Sequence, residues 1–203
     1  MALMIAIGVD PGTLHLGWGV VQREGSRVSH VAHGVIDLDP KLALPGRLAL
    51  IAEELDVILD RYRPQVAAVE TLFFHRDAQA AAKLGHARGV VLLCLSRSGV
   101  ELAEYAPARV KRTVAGNGRA AKSQVSQMVR AILALREVPR SDAGDALALA
   151  LTHLRLGPLQ EALERSQANA GASRPSGSPP RKTALELLLR KKRRGRTPRG
   201  RRR

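Results

Sequence analysis

The chain has few aromatic residues, a single cysteine and no apolar run long enough to cross a membrane. Cys94 is that cysteine, so no disulfide can form within the chain, and its apolar neighbours predict a small buried side chain. The segment Met1–Gly8 carries no cationic residue before its apolar stretch and is followed by Asp10-Pro11-Gly12, which predicts a strand and not a signal peptide. We therefore expect a soluble cytoplasmic protein.

Acidic residues are also scarce, with 18 Asp and Glu against 33 Lys and Arg and a net charge of +15. This excess is uneven, because Arg174–Arg203 contains 13 Lys or Arg residues and one acid, Glu186. A basic tail neutralises phosphates and releases counterions, so nucleic acid is the expected partner. A membrane surface is the main alternative.

Strands occupy the first third of the chain and then alternate with helices. The predicted elements are strands at Met4–Asp10, Gly17–Arg23 and Arg27–Asp37, a helix at Leu44–Tyr62, a strand at Gln65–Glu70, a helix at about Asp77–Ser98, a strand at Val100–Tyr105, and helices from Pro107, at about Lys122–Leu135 and from Ser141. Short turns join the first three strands, which predicts antiparallel neighbours. The pattern indicates an α/β domain with a mixed five-stranded sheet covered by helices on both faces.

The composition divides the chain into three parts. Residues 1–157 hold the periodic elements and form the predicted domain. Residues 158–180 contain Gly, Ser and Pro, which is typical of a linker. Residues 181–203 form the basic tail, which we expect to be disordered when free.

Two carboxylates fall at the ends of apolar strands. Asp10 closes the first strand before Pro11-Gly12, and Glu70 closes Val66–Val69 in the same way. A carboxylate in such a place needs a partner, because burying it alone costs several kcal/mol or more. That partner is either a divalent cation or a neighbouring arginine.

A second pair of acids begins the last predicted helix. Asp142 and Asp145 are three residues apart, a spacing that places both on one helix face. The helix dipole alone could explain acids in a first turn. If all four carboxylates meet at one end of the sheet, they form a site for magnesium, and two such ions about 4 Å apart can hydrolyse a phosphodiester without a side-chain nucleophile.

The residues around these acids resemble the RuvC family of Holliday-junction resolvases over roughly residues 4 to 155. The matching segments are Gly8–Thr13, Val69–Phe74, Val110–Gly118 with Ala121–Val125, and Asp142–Ala148 continuing to Thr152-His153. The resemblance implies a ribonuclease H-like fold and a homodimer that nicks four-way DNA junctions in pairs, with two Mg²⁺ ions per site, in recombination and repair. It places the catalytic acids at Asp10, Glu70, Asp142 and Asp145, and it implies a branch-migration helicase complex as a partner.

Further candidates for DNA binding lie beside these acids. Phe73 and Phe74 are the only phenylalanines, and by resemblance Phe73 stacks on an unpaired base, although both could pack in the core. A basic group flanks a glycine-containing turn and suits phosphate contacts, or is simply a solvated face. Its members are Lys111, Arg112, Arg119 and Lys122, of which Lys111 and Lys122 are the best candidates by resemblance.

Several alternatives remain open from the sequence. The two-fold symmetry of a four-way junction favours a dimer, and the Ala-rich segment Ala78–Gly89 resembles the family's dimer region, but burial against its own sheet explains it equally well. His153 is too far along the helix from Asp142 for one metal site, so we expect it to pack or cap. A nuclease of this fold acting on RNA or other branched DNA is the second candidate. An actin-like ATPase is a remote third, because Asp10–Thr13 also resembles a phosphate loop.

Overall fold

A computed structural model describes residues 3–71 and 78–172 of the chain. The strands are β1 (Leu3–Asp10), β2 (His15–Glu24), β3 (Arg27–Asp37), β4 (Val66–Glu70) and β5 (Glu101–Tyr105). The helices are α1 (Leu44–Tyr62), α2 (Ala78–Arg97), α3 (Pro107–Ala115), α4 (Lys122–Ile132) and α5 (Ser141–Ala172). None of the helices in the described ranges is both long enough and apolar enough to span a membrane.

The strands form one mixed sheet in the order β3-β2-β1-β4-β5. β1, β2 and β3 pair antiparallel, as their short turns predict, whereas β4 pairs parallel with β1 and with β5. In the β1–β4 ladder Val9 lies opposite Val69, so Asp10 and Glu70 follow side by side at the same edge of the sheet. The predicted α/β class and the mixed five-stranded sheet are confirmed.

Helices cover both faces of the sheet, each above its own apolar core. On one face α3 and α5 contribute Val110 and Leu147 to the core, and α4 packs beside them. On the other face α1 and α2 contribute Leu55 and Val91. The free cysteine Cys94 is buried in this second core, as expected. Coverage of both faces explains why the central strands β1 and β4 are almost entirely apolar.

Helix α4 ends earlier than the sequence predicts. It stops at Ile132 instead of about Leu135, because Ala134 takes a left-handed conformation with φ of 51° and the Leu135 N–H donates to the Arg130 carbonyl. This conformation usually falls on glycine. An alanine there leaves no signal in the sequence for the end of the helix.

Helix α5 is longer than the sequence predicts, since it continues to Ala172 through residues where we expect a linker. Gly157-Pro158 disfavours a helix interior, but Leu, Ala, Glu and Gln dominate residues 159–168 and are good helix formers. The chain divides into two compact units, Met1–Leu163 and Glu164–Arg203, and residues 164–172 are the described part of the second. The basic tail lies outside the described residues, and the limits 1–157, 158–180 and 181–203 stay predictions.

Candidate active site

Three of the predicted carboxylates line one cavity at the edge of the sheet where β1 and β4 end. Asp10 is the last residue of β1 and Glu70 the last of β4, while Asp145 lies near the start of α5. The cavity has a volume of about 350 Å³. Its other lining residues are Pro107, Val110, Lys111, Lys122, Val125, Ala148 and Leu149. The fold therefore joins acids that are far apart in the sequence.

The fourth acid, Asp142, lies in the first turn of α5 and is not in the lining of the cavity. It is nevertheless close enough to Asp10 to raise the pKa of that carboxyl, as Asp145 also does. The start of α5 thus presents two acids to the same strand end.

Two glycines let α5 approach the sheet closely enough for this arrangement. A Cβ atom on Gly17 of β2 would collide with the backbone carbonyl oxygen of Asp142, and one on Gly8 of β1 would collide with that of Ala146. Both separations would be well below 3.0 Å, and Cβ atoms in real proteins essentially never come that close to another heavy atom. The helix backbone therefore packs directly on the strand backbone at these positions, which only glycine allows.

Burial and mutual repulsion raise the pKa of two of the acids. Burial is the main cause for Asp10, and Asp145, Glu70 and Asp142 add to it, so that its pKa rises from 3.8 to about 7. Burial, followed by Asp145, also raises the pKa of Glu70. Lys122 lowers both values without cancelling the increase. A site with this excess of negative charge favours a further cation.

Two lysines face the acids from the neighbouring helices. The Nζ atom of Lys122, the first residue of α4, lies 2.6 Å from Oδ2 of Asp145. Lys111 on α3 lines the cavity and lowers the pKa of Glu70. The Lys122 side chain is 59% exposed, so its ammonium group also reaches solvent at the rim. Both lysines chosen from the sequence therefore lie beside the acids, and their contact with DNA stays a prediction.

The donor atoms at this site fit a hard divalent cation. All four acids offer carboxylate oxygens, the ligands that magnesium prefers, and Lys122 offsets only part of the effect that burial and the other acids have on the pKa of Asp10. Within the described ranges no three Asp, Glu, His or Cys side chains form a ready-made metal-binding group. Lys122 instead holds Asp145 by an ion pair.

The remaining predicted residues lie elsewhere. Arg112 and Arg119 are exposed and are absent from the cavity lining. Phe73 lies outside the described residues, so its stacking role stays a prediction. His153 packs as expected, because it is buried with its Nδ1 atom 2.9 Å from the Tyr105 hydroxyl.

An ion-pair group at the start of α5 was not predicted. Arg140 donates to both carboxylate oxygens of Asp37, at 2.6 and 2.8 Å, and Nδ1 of His15 lies 2.8 Å from Oδ1 of Asp37. These hydrogen bonds, mainly the one from Arg140, lower the pKa of Asp37 to about 2. Arg140 precedes the acid Asp142 by two residues, so the group anchors the chain just before the site.

Arg88 on α2 is a second residue that sequence reasoning missed. It is 6% exposed, and its guanidinium contacts the backbone of Glu70. A signal for it exists in the sequence, since Arg88 follows Leu84 by four residues and precedes Val91 by three, on the apolar face of its helix. A charged residue on such a face needs a buried partner.

Known proteins resemble the chain over most of its length. The family described as crossover junction endodeoxyribonuclease RuvC matches residues 6–153. A protein of that name from Sorangium cellulosum (strain So ce56) is 52% identical over 182 residues, covering 90% of this chain and 99% of its relative. The structure of T. thermophilus RuvC in complex with Holliday junction substrate superimposes with a TM-score of 0.73 at 40% identity, covering 77% of this chain and 96% of the other.

A more distant structure shows the fold alone. The yeast mitochondrial Holliday junction resolvase Ydc2 has a TM-score of 0.57 at 15% identity and covers 79% of this chain and 81% of its own. These neighbours confirm the predicted ribonuclease H-like fold. With the family match across nearly the whole first compact unit, the chain belongs to the RuvC family of crossover junction endodeoxyribonucleases.

Proposed function

We propose that the protein resolves four-way DNA junctions in recombination and repair by paired metal-dependent nicks. Its catalytic residues are Asp10, Glu70, Asp142 and Asp145. The main support is the meeting of Asp10, Glu70 and Asp145 in one cavity where burial and repulsion raise the pKa of Asp10 to about 7. Membership of the RuvC family favours this substrate over RNA and favours hydrolysis of DNA over an ATPase activity.

The RuvC family consists of metal-dependent nucleases. Here the four carboxylates are the residues proposed to hold magnesium, because three of them line one cavity, Asp142 is near enough to raise the pKa of Asp10, and all four offer only oxygen. The resemblance to the family implies two ions per site. Bound magnesium supplies a Lewis acid that lowers the pKa of a water molecule and stabilises charge on the phosphate. The protein's own contribution is to hold these carboxylates in place and within reach of the DNA backbone.

Lysines on the rim of the cavity orient the DNA. Lys111 and Lys122 lie on the side of the acids formed by α3 and α4, where their ammonium groups can contact phosphates that flank the cut. Arg112 and Arg119, which are exposed on the same two-helix segment, extend this basic surface. Phe73 follows Glu70 closely in the sequence, which supports its proposed role in stacking on a base at the junction.

Two symmetric cuts require two sites, so the active form is proposed to be a homodimer. Helix α2 buries Val91 in its own core, whereas Leu93 on the same helix is 56% exposed and available to a second copy. The segment Ala78–Gly89 is the proposed dimer region by family resemblance. Residues 1–157 are proposed to suffice for cleavage, and a branch-migration helicase complex is a proposed further partner.

Substrate selectivity can be tested by comparing a synthetic four-way junction, a linear duplex and an RNA–DNA hybrid. Each substrate is incubated with the full chain in magnesium and in chelator, and nicks are mapped on both strands of the cut pair. We expect nicks at symmetric positions in the junction only, and only with metal. Equal cutting of all three substrates would refute the junction assignment.

The role of Asp10 can be tested with Asp10→Asn. The variant should lose nicking because a metal ligand is removed, and it should still bind the junction because the lysine contacts remain. Asp60→Asn is a matched control, since Asp60 is an exposed acid of α1 whose partner is Arg63. Unchanged nicking by Asp10→Asn would remove Asp10 from the mechanism.

A further inference from the structure

Arg88 joins helix α2 to the ends of two neighbouring strands. Its Nη1 atom donates to the backbone carbonyl of Glu70 at 2.5 Å, and its Nη2 atom donates to Oε1 of Glu104. Glu104 lies on β5, opposite Val69 in the parallel ladder between β4 and β5. One guanidinium group therefore holds the main chain of an active-site acid and the neighbouring strand together.

The burial of this arginine indicates a specific role. The Arg88 side chain is 7% exposed, whereas that of Glu104 is 47% exposed and reaches solvent. A buried guanidinium loses its hydration and is tolerated only where other groups accept its hydrogen bonds. An apolar residue, like the neighbouring Ala87 and Val91 of the same core, would fill this helix face without that cost. Packing alone therefore does not explain an arginine here.

The bond from Arg88 meets β4 at its last residue. The Thr71 N–H donates to the Tyr105 carbonyl at 2.9 Å, so β5 holds the main chain on one side of this point. Arg88 holds the Glu70 carbonyl, the group directly before Thr71, from helix α2. The backbone from which the Glu70 side chain extends into the cavity is thus fixed from two directions.

We propose that Arg88 is a positioning residue for DNA cleavage, which directs the Glu70 carboxylate into the metal-binding cavity by holding the Glu70 carbonyl and Glu104. This inference rests on the proposed function, because it takes Glu70 as a metal ligand. Arg88 acts through Glu70 and is not itself catalytic.

Three variants separate this role from a general effect on folding. Arg88→Gln removes the charge and the planar pair of donors, whereas Arg88→Lys keeps the charge but has a single ammonium group for two partners. Arg97→Gln is the matched control, because Arg97 lies on the same helix and pairs with Asp56 at 3.6 Å but is 63% exposed. The full chain is used throughout, and circular dichroism measures the folded fraction of each variant.

The readouts are kcat and KM for junction nicking, junction affinity without metal, and Mn²⁺ affinity measured by calorimetry without DNA. Arg88→Gln is expected to lower kcat on the order of ten- to a hundred-fold, because a small displacement of a catalytic group has effects of this size. It should also weaken Mn²⁺ binding, while KM and junction affinity stay unchanged. Arg88→Lys should recover part of kcat, and Arg97→Gln should match the wild type.

Wild-type kcat and Mn²⁺ affinity in Arg88→Gln would overturn the inference. A loss of kcat equal to the loss of folded protein would also overturn it, since Arg88 would then have only a structural role. If Arg88→Gln does not fold, the kcat and Mn²⁺ affinity of Arg88→Lys are compared with those of the wild type instead. Glu70→Gln tests the proposed function separately. If this variant still nicks the junction, the proposed role of Glu70 is wrong. If Glu70→Gln is inactive and Arg88→Gln behaves as the wild type, only the role of Arg88 is refuted.

Discussion

Gly17→Ala should disrupt the active site by the addition of one methyl group. Its Cβ would collide with the Asp142 carbonyl oxygen, which has to retreat by about 1 Å to reach an allowed separation. The Ala143 nitrogen would lie only 3.0 Å from the same Cβ, so the first turn of α5 has to move as a unit. A displacement of this size at a catalytic group lowers the rate on the order of a hundred-fold.

The same substitution should also reduce stability. Overpacking of a close-packed contact costs about 1–3 kcal/mol, and each kcal/mol lowers Tm by about 2–4 °C in a domain of this size. Single-turnover nicking of a four-way junction at saturating magnesium measures the first effect, and thermal melting measures the second. Junction binding should change less than nicking, because Lys111 and Lys122 lie on other helices.

Gly144→Ala supplies the control on the same helix. The nearest heavy atom to its new Cβ is Cγ of Pro139 at 3.4 Å, an ordinary contact, and alanine is the better helix former. Its Tm should therefore equal or exceed that of the wild type, with nicking retained. A Gly17→Ala variant with wild-type Tm and wild-type nicking would refute the view that backbone contact with β2 positions the acids of α5.

Three further predictions concern charged groups. Asp37 has a pKa of about 2, against a usual 3.8, mainly because of Arg140, so its ionised form stabilises the fold above about pH 4 and this contribution is lost as the pH falls toward 2. Asp37→Asn should therefore melt below the wild type at neutral pH, and a Tm difference that does not shrink in acid would contradict this. Lys122→Gln removes the ammonium group that lies 2.6 Å from Asp145, so the Tm of the variant should fall below that of the wild type without metal. Added magnesium should reduce this difference, because a bound cation replaces the lost positive charge. A difference in Tm that magnesium does not change would count against a cation site. Deleting Arg174–Arg203 should weaken junction binding and flatten its salt dependence, because fewer counterions are released, and complete loss of cleavage at low salt and saturating protein would show that the tail does more.

The positions of Asp10 and Glu70 could be predicted because each closes a short apolar strand before a turn. Strand ends are visible in the sequence, and parallel pairing then places two such ends at one edge of the sheet. The spacing of Asp142 and Asp145 predicted that both lie on one helix face, and in the structure both raise the pKa of Asp10. These local patterns made the four acids candidates, and the resemblance to the RuvC family joined them into one predicted site.

The groups that support the acids could not be predicted in the same way. Arg88 contacts a backbone carbonyl, which every residue possesses, so no residue type marks its partner in the sequence. Asp37 and Arg140 meet only because β3 ends beside the loop that leads into α5. Helix ends were also uncertain, at Ala134 because alanine gives no signal for a left-handed residue, and at Gly157-Pro158 because these residues disfavour a helix that the following residues favour. Contacts between distant segments depend on the completed fold, and one sequence does not reveal them.

The acids of the cavity come from the beginning, the middle and the end of the folded unit, and this has a consequence for how the protein is made. Contacts between distant segments form late and slowly during folding. The acids come together only after β4 has paired with β1 and α5 has settled on Gly8 and Gly17. A chain still emerging from the ribosome lacks the acids of α5, and a complete chain that has not yet folded carries all four carboxylates but not the assembled cavity. The candidate site is therefore a product of the completed fold and not of any one segment.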